Sequence, residues 1–172
     1  LHDVLVALGV VALEVDAGRL PTADVPRVRD LMTRPVVTVS PDVSLAAVTQ
    51  AMAAHRIRHI PVVEASGRLV GLVTQRDLLS IQPSRLEIPG DGERLALLAR
   101  VPVRDVMETH LAVVGPTEFA GAAGDRLRRH RIGCLPVMDA AGHLVGIVTR
   151  SDFLAWASRQ PATHEPAAVA PA

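Results

Sequence analysis

The sequence predicts an α+β fold made of two copies of one β-α-β-β-α unit. Three observations carry this. The stretch Leu69-Val70-Gly71-Leu72-Val73-Thr74-Gln75-Arg76-Asp77 returns 75 residues later as Leu144-Val145-Gly146-Ile147-Val148-Thr149-Arg150-Ser151-Asp152. With that constant shift no gap is needed from Val28 to Ser80, and about twenty of the 53 aligned positions are identical. The matches hold chemically distinct residues in register. Val28-Arg29-Asp30-Leu31-Met32 falls on Val103-Arg104-Asp105-Val106-Met107, His55-Arg56-Ile57 on His130-Arg131-Ile132, Pro61-Val62 on Pro136-Val137, and Gly67 on Gly142. Finally, each copy alternates β-rich runs with a run of helical period, and turn residues separate them.

The elements follow in order. Leu1, Val4, Leu5, Leu8, Val11, Ala12 and Val15 recur at helical spacing and predict a short amphipathic helix closed by Gly18 and Pro21. Val36 to Val39 reads as a strand, which Ser40-Pro41-Asp42 punctuates. Leu45, Val48 and Met52 then line one helix face among alanines, and Ser44 can cap its start. Ile60 to Val63 is a second strand, with Pro61 fitting an edge or a strand start. Glu64-Ala65-Ser66-Gly67 is a hairpin turn in which Gly67 can take positive φ. Leu69 to Thr74 returns, and a second helix opens near Asp77. The expected boundaries are a leading segment over 1–27, copies over 28–80 and 103–156, a linker over 81–102 with a short helix at Glu93 to Arg100, and a mobile tail over 157–172.

Composition limits the function classes. Aromatics are 2% of the chain, so the core is aliphatic. Lys+Arg and Asp+Glu are 18 each, which argues against a general nucleic-acid binder and against a DNA partner. The single cysteine, Cys134, excludes an intramolecular disulfide and a cysteine-rich zinc site, and fits a cytoplasmic location. No apolar run approaches the roughly 18 residues of a membrane span, and Leu1 to Val15 lacks the basic front of a signal peptide. The first residue is Leu1 rather than Met, as in a piece of a longer protein. His55 and His59 lack the acidic partner of a zincin pattern. No phosphate loop, serine elbow or nucleophile–base pair occurs, so neither catalysis nor a metal is expected.

The ordered set Arg-Asp-Leu-Met, Val-rich strand with Pro41, His-Arg-Ile-x-x-x-Pro-Val, then Gly-x-Leu-Val-Gly-x-Val-Thr-x-x-Asp resembles the CBS domain, named after cystathionine β-synthase. Its double occurrence resembles the tandem pair called a Bateman module. The resemblance implies two units packed by a pseudo-twofold, with clefts between them that bind adenosine-containing ligands in many relatives. It also implies a regulatory role toward an attached or separate effector, and association into homodimers.

A buried strand ending in a hydroxyl and a carboxylate suits a polar ligand. Asp77 and Asp152 match the family's ribose-binding aspartates, since a carboxylate accepts from both ribose hydroxyls. Thr74 and Thr149 offer hydroxyls three residues earlier. Both aspartates also suit helix capping, and the two roles can coexist. An adenine slot would fall at Val36, Val37, Ile60 and Pro61, and in the second copy at Leu111, Ala112, Leu135 and Pro136; plain core packing is the alternative for each. Phosphate contact falls to Arg58, His59, Arg76 and Arg150, with simple solvation as the alternative. Gly133, Cys134 and Ser151 replace Arg58, His59 and Arg76 in the second copy, so the clefts are expected to be unequal. The leading function is a regulatory sensor of an adenosyl ligand such as AMP, ADP, ATP, NAD or S-adenosylmethionine. The alternative is a structural or dimerisation module with empty clefts, part of a larger enzyme or transporter.

Overall fold

The computed structural model describes residues 25–81 and 90–159. The helix expected over 1–15, part of the linker and the tail beyond Arg159 lie outside the described residues.

Each copy centres on a helix packed on a two-stranded hairpin. In the first copy, α1 is Val28–Leu31, α2 is Leu45–His55, β1 is His59–Val63, β2 is Leu69–Thr74 and α3 is Gln75–Ile81. Linker helix α4 spans Asp91–Leu98, and a 3-10 turn at Val103–Asp105 opens the second copy. There α5 is Ala120–Arg129, β3 is Cys134–Met138, β4 is Leu144–Thr149 and α6 is Arg150–Ala157. Ser44 Oγ accepts from the Ala47 N–H at 3.3 Å, so α2 starts at the cap its sequence offers. The hairpins are antiparallel, Ile60 opposite Val73 and Leu135 opposite Val148, each with an irregularity at the same place, Val62/Val63 and Val137/Met138. Their turns hold Gly67 and Gly142 at φ 82° and 83°, where a Cβ would be strained.

The strand expected over Val36 to Val39 shrinks to one parallel bridge, Val39 to Val62. Val39 N–H donates to Pro61 O at 3.2 Å and Val63 N–H to Val39 O at 2.9 Å. Pro35 and Pro41 bracket the segment and lack the donors a longer ladder needs. Val114 repeats the bridge with Val137.

The copies exchange their leading segments. Val28, which opens the first copy, is buried in the second core with Val114, Ala123, Leu127, Leu135, Val137 and Val148. Val103, which opens the second, is buried in the first core with Leu45, Val48, Met52, Ile60, Val62 and Val73. The backbone bonds match pair for pair. Val28 N–H reaches Glu118 O at 2.9 Å as Val103 N–H reaches Val43 O at 2.8 Å; Arg29 reaches Pro116 as Arg104 reaches Pro41, both at 3.0 Å. Neither core is therefore filled by one sequence copy alone.

Candidate functional site

The exchanged segments run on across the partner copy's return strand. Thr33 pairs antiparallel with Ile147, through bonds of 2.8 and 3.2 Å, and Glu108 pairs with Leu72 through two bonds of 2.9 Å. Thr33 and Glu108 are equivalent positions, as are Leu72 and Ile147. Thr33 thereby reaches the Thr149/Asp152 pair, one of the two strand-end half-sites, while Glu108 lies beside Leu72, two residues before Thr74 of the other.

At the end of β2, Asp77 Oδ2 accepts from the Thr74 N–H at 2.8 Å, and Asp77 N–H donates to Thr74 Oγ1 at 3.3 Å. At the end of β4, Asp152 Oδ2 accepts both from the Thr149 N–H and from Thr149 Oγ1, each at 2.7 Å. Asp152 Oδ1 accepts from Thr33 Oγ1 at 3.3 Å. The capping role is therefore present in both copies. Among the described residues Oδ1 of Asp77 accepts no hydrogen bond. All four residues are half-buried.

Residues of the expected base slot divide. Val36 and Leu111 pack with Leu72, Cys134 and Ile147 in a small apolar cluster between the hairpins. Val37 and Ala112 are half-buried, and Ala112 packs on the second core. Ile60 and Leu135 are 0% exposed, one in each helix-facing core. Strand alternation turns these two side chains away from the seam, so neither can offer its side chain to a base there. Pro61 and Pro136 are buried opposite Leu72 and Ile147, on the seam face of their strands.

The cations also divide. His59 sits half-buried at the seam, its ring close against Gly133 of the other copy, where an added Cβ would lie 3.1 Å from His59 Cε1. Burial pushes the imidazole pKa down; Arg58 and Arg150 push it the same way, and Asp77 opposes them. Arg150 Nε donates to Ile132 O at 3.1 Å. Arg58 and Arg76 are exposed, and their side chains make no hydrogen bond or ion pair with the described residues. Cys134, the equivalent of His59, is buried, and desolvation raises its thiol to about 12, so it is protonated at neutral pH.

Two cavities lie on the helical faces rather than at the seam. One of about 480 Å³ is lined by Met52, Arg56, Arg58, Gln75, Leu78 and Leu79 among others. Its counterpart of about 590 Å³ is lined by Gly124, Leu127, Arg128, Arg150, Phe153 and Leu154. Neither includes the threonines or aspartates of the half-sites. Arg58 and Arg150 border these grooves as well as acting on His59.

Thr33 and Glu108 were not picked out from the sequence. The constant shift sets them opposite each other, but their meeting with Asp152 and Leu72 depends on the exchange, which leaves no mark in either copy.

The family model for the CBS domain matches residues 28–84 and 103–159. The chain belongs to the CBS domain family. Its two matches form a tandem CBS pair, as the repeat and its resemblance predict. A CBS domain-containing protein of Dictyostelium discoideum is 32% identical over 127 residues, covering 74% of this chain and 88% of that protein. Inosine-5'-monophosphate dehydrogenase of Bifidobacterium longum is 30% identical over 136 residues, 78% of this chain but only 23% of the enzyme. Among solved structures, CBSX2 in complex with AMP aligns with TM-score 0.63 at 27% identity, over 77% of this chain and 96% of that one. The CBS domain pair of MJ0100, in complex with 5'-methylthioadenosine and S-adenosyl-L-methionine, aligns with TM-score 0.65 at 22% identity, over 78% and 97%, and shares the fold. Among the described residues of this CBS pair no helix is long and apolar enough to cross a membrane.

Proposed function

We propose that this CBS pair is a regulatory module that binds an adenosine-containing ligand at the seam between its copies. The observation that carries the reading is Asp77, half-buried at a strand end, with one carboxylate oxygen that accepts nothing among the described residues. A ribose hydroxyl donated to such an oxygen makes a charge-assisted bond of roughly 1.5–3 kcal/mol. AMP in the CBSX2 structure supports the ligand class. Arg58, His59, Arg76 and Arg150 are the cations available to a phosphate, with Arg58 and Arg150 both felt by His59. A ligand bridging both copies shifts their relative arrangement by its difference in affinity for the two states, and an effector reads that shift. The effector is a further domain or a separate protein, as the enzymes that carry such a pair within a longer chain suggest.

Thermal unfolding with AMP, ADP, ATP, NAD and S-adenosylmethionine tests this. A binder at a hundredfold excess over its Kd adds about 2.7 kcal/mol of stability. A transition that none of the five moves would remove the reading for these ligands.

A second reading, a dimerisation module, draws on the helical faces. Leu79 and Leu154 occupy equivalent positions on α3 and α6 and are 63% and 70% exposed. A second copy covering both faces would bury them. Light scattering of Leu79→Glu/Leu154→Glu against the native chain separates the cases; equal masses would set the helical faces aside.

A further inference from the structure

On the adenosyl-ligand reading, we propose that the two half-sites fill in order, Asp77 first, and that Thr33 is the specificity-determining residue that holds the Asp152 half-site closed. The two acids occupy the same place in their copies but differ in what they have left to offer.

Asp152 is spent. Its Oδ2 takes the Thr149 N–H and hydroxyl, and its Oδ1 takes the Thr33 hydroxyl. Thr149 has in turn given its only hydroxyl proton to Asp152. Thr33 is positioned for this by two backbone bonds to Ile147, so it competes as a tethered, pre-ordered donor. A ribose hydroxyl arriving at Asp152 Oδ1 must share or displace the Thr33 hydroxyl, and gains less there than at an oxygen that holds no donor.

Asp77 is not spent. Among the described residues its Oδ1 accepts nothing, and the Thr74 hydroxyl, which receives the Asp77 N–H, donates to no group. The residue in Thr33's place is Glu108, held by the same backbone pairing to Leu72. Glu108 is turned toward His110, whose N–H donates to Oε1 at 2.7 Å and holds the carboxyl below its ordinary range. An ionised carboxylate has no proton to give, so nothing from the second copy competes for Asp77. A free acceptor and a free hydroxyl side by side match a ribose diol, in which each hydroxyl both donates and accepts.

The experiment is calorimetric titration of the full chain with AMP, repeated with ATP and S-adenosylmethionine. Asp77→Asn is the decisive variant, because its amide oxygen can keep the cap to the Thr74 N–H while its amide nitrogen replaces the free acceptor. We expect Asp77→Asn to weaken the tighter event at least about tenfold with little change in melting temperature. Asp152→Asn leaves that event within about twofold. Thr33→Val, which removes the competing hydroxyl and keeps the shape, adds or tightens a second event. Loss of the tighter event in Asp152→Asn with its retention in Asp77→Asn overturns the proposal, as does a Thr33→Val isotherm identical to that of the native chain. A native chain that binds none of the three probes removes the adenosyl reading and the proposal with it; binding with the wrong asymmetry removes the proposal alone.

Discussion

Met107 lies across Gly71, and a Cβ built at that glycine would fall 2.8 Å from Met107 Cγ. Met32 lies across Gly146 in the same way, with Cγ 3.0 Å from the corresponding Cβ position. The four residues form two equivalent pairs, each joining one copy to the other. Both methionines directly precede the pairing residues Thr33 and Glu108 and both glycines lie mid-strand, so a missing side chain on one copy is the seat for a thioether from the other.

Gly71→Ala and Gly146→Ala are expected to destabilise the protein by about 1–3 kcal/mol each, the usual cost of overpacking a filled contact. Chemical denaturation measures it. Met107→Ala introduced with Gly71→Ala makes room for the methyl group, so the double variant should lose less than the sum of its parts; strict additivity would deny the pairing.

Neither copy is expected to fold alone. A chain of residues 25–81 lacks Leu98 and Val103, both buried in the first core, and each contributes roughly 1.5–3 kcal/mol on burial. Circular dichroism with denaturant should show no cooperative transition for that fragment. A sharp transition there would mean the exchanged segment is dispensable.

Stability should fall as pH drops below the ordinary histidine range. His59 has its folded pKa lowered from 6.5 by burial, with Arg58 and Arg150 adding to the effect and Asp77 opposing it. The unfolded chain therefore takes the proton more readily. The stability tied to neutral His59 is complete above about pH 6.5 and is lost as pH falls toward the folded value. Denaturation midpoints from pH 7.5 to 5 should show a shallower slope in His59→Gln than in the native protein, and equal slopes would place the proton elsewhere.

Arg56 and Arg131, one in each copy, follow their long helices at φ 54° and 55°. The left-handed region costs a residue with a Cβ roughly 1–2 kcal/mol. Arg131→Gly should relieve part of this and, after glycine's extra unfolded-state entropy, raise stability by about 0.5–1 kcal/mol. Arg131 lines neither groove, so a thermal melt reads the backbone effect directly. A lower melting temperature would show that its side chain contributes more than the strain costs.

Much of the fold was legible. Ser44 and the Leu45, Val48, Met52 face gave the first long helix, and Gly67 marked a hairpin turn that needs positive φ. Local chemistry sets those features, and local chemistry is what a sequence displays. The strand over Val36 to Val39 was overread because β-branched residues alone do not supply a partner edge or a donor between two prolines. Of the candidate site, the Thr/Asp pairs were visible as repeated residues. The burial of Ile60 and Leu135 was not, because alternation along a strand says which residues share a face but not which face meets the seam.

The sequence by itself determined that one unit occurs twice, that each unit carries a strand ending in Thr and Asp, and that the second lacks the first's Arg58 and His59. Only the tertiary structure decided that Val28 fills the second core and Val103 the first, and so that Thr33 meets Asp152 while Glu108 takes the matching place beside Leu72. Those meetings are set by which hairpin each leading segment buries itself against. Burial is a non-directional gain that two nearly identical cores offer almost equally, so residue order alone could not say which core each segment would choose.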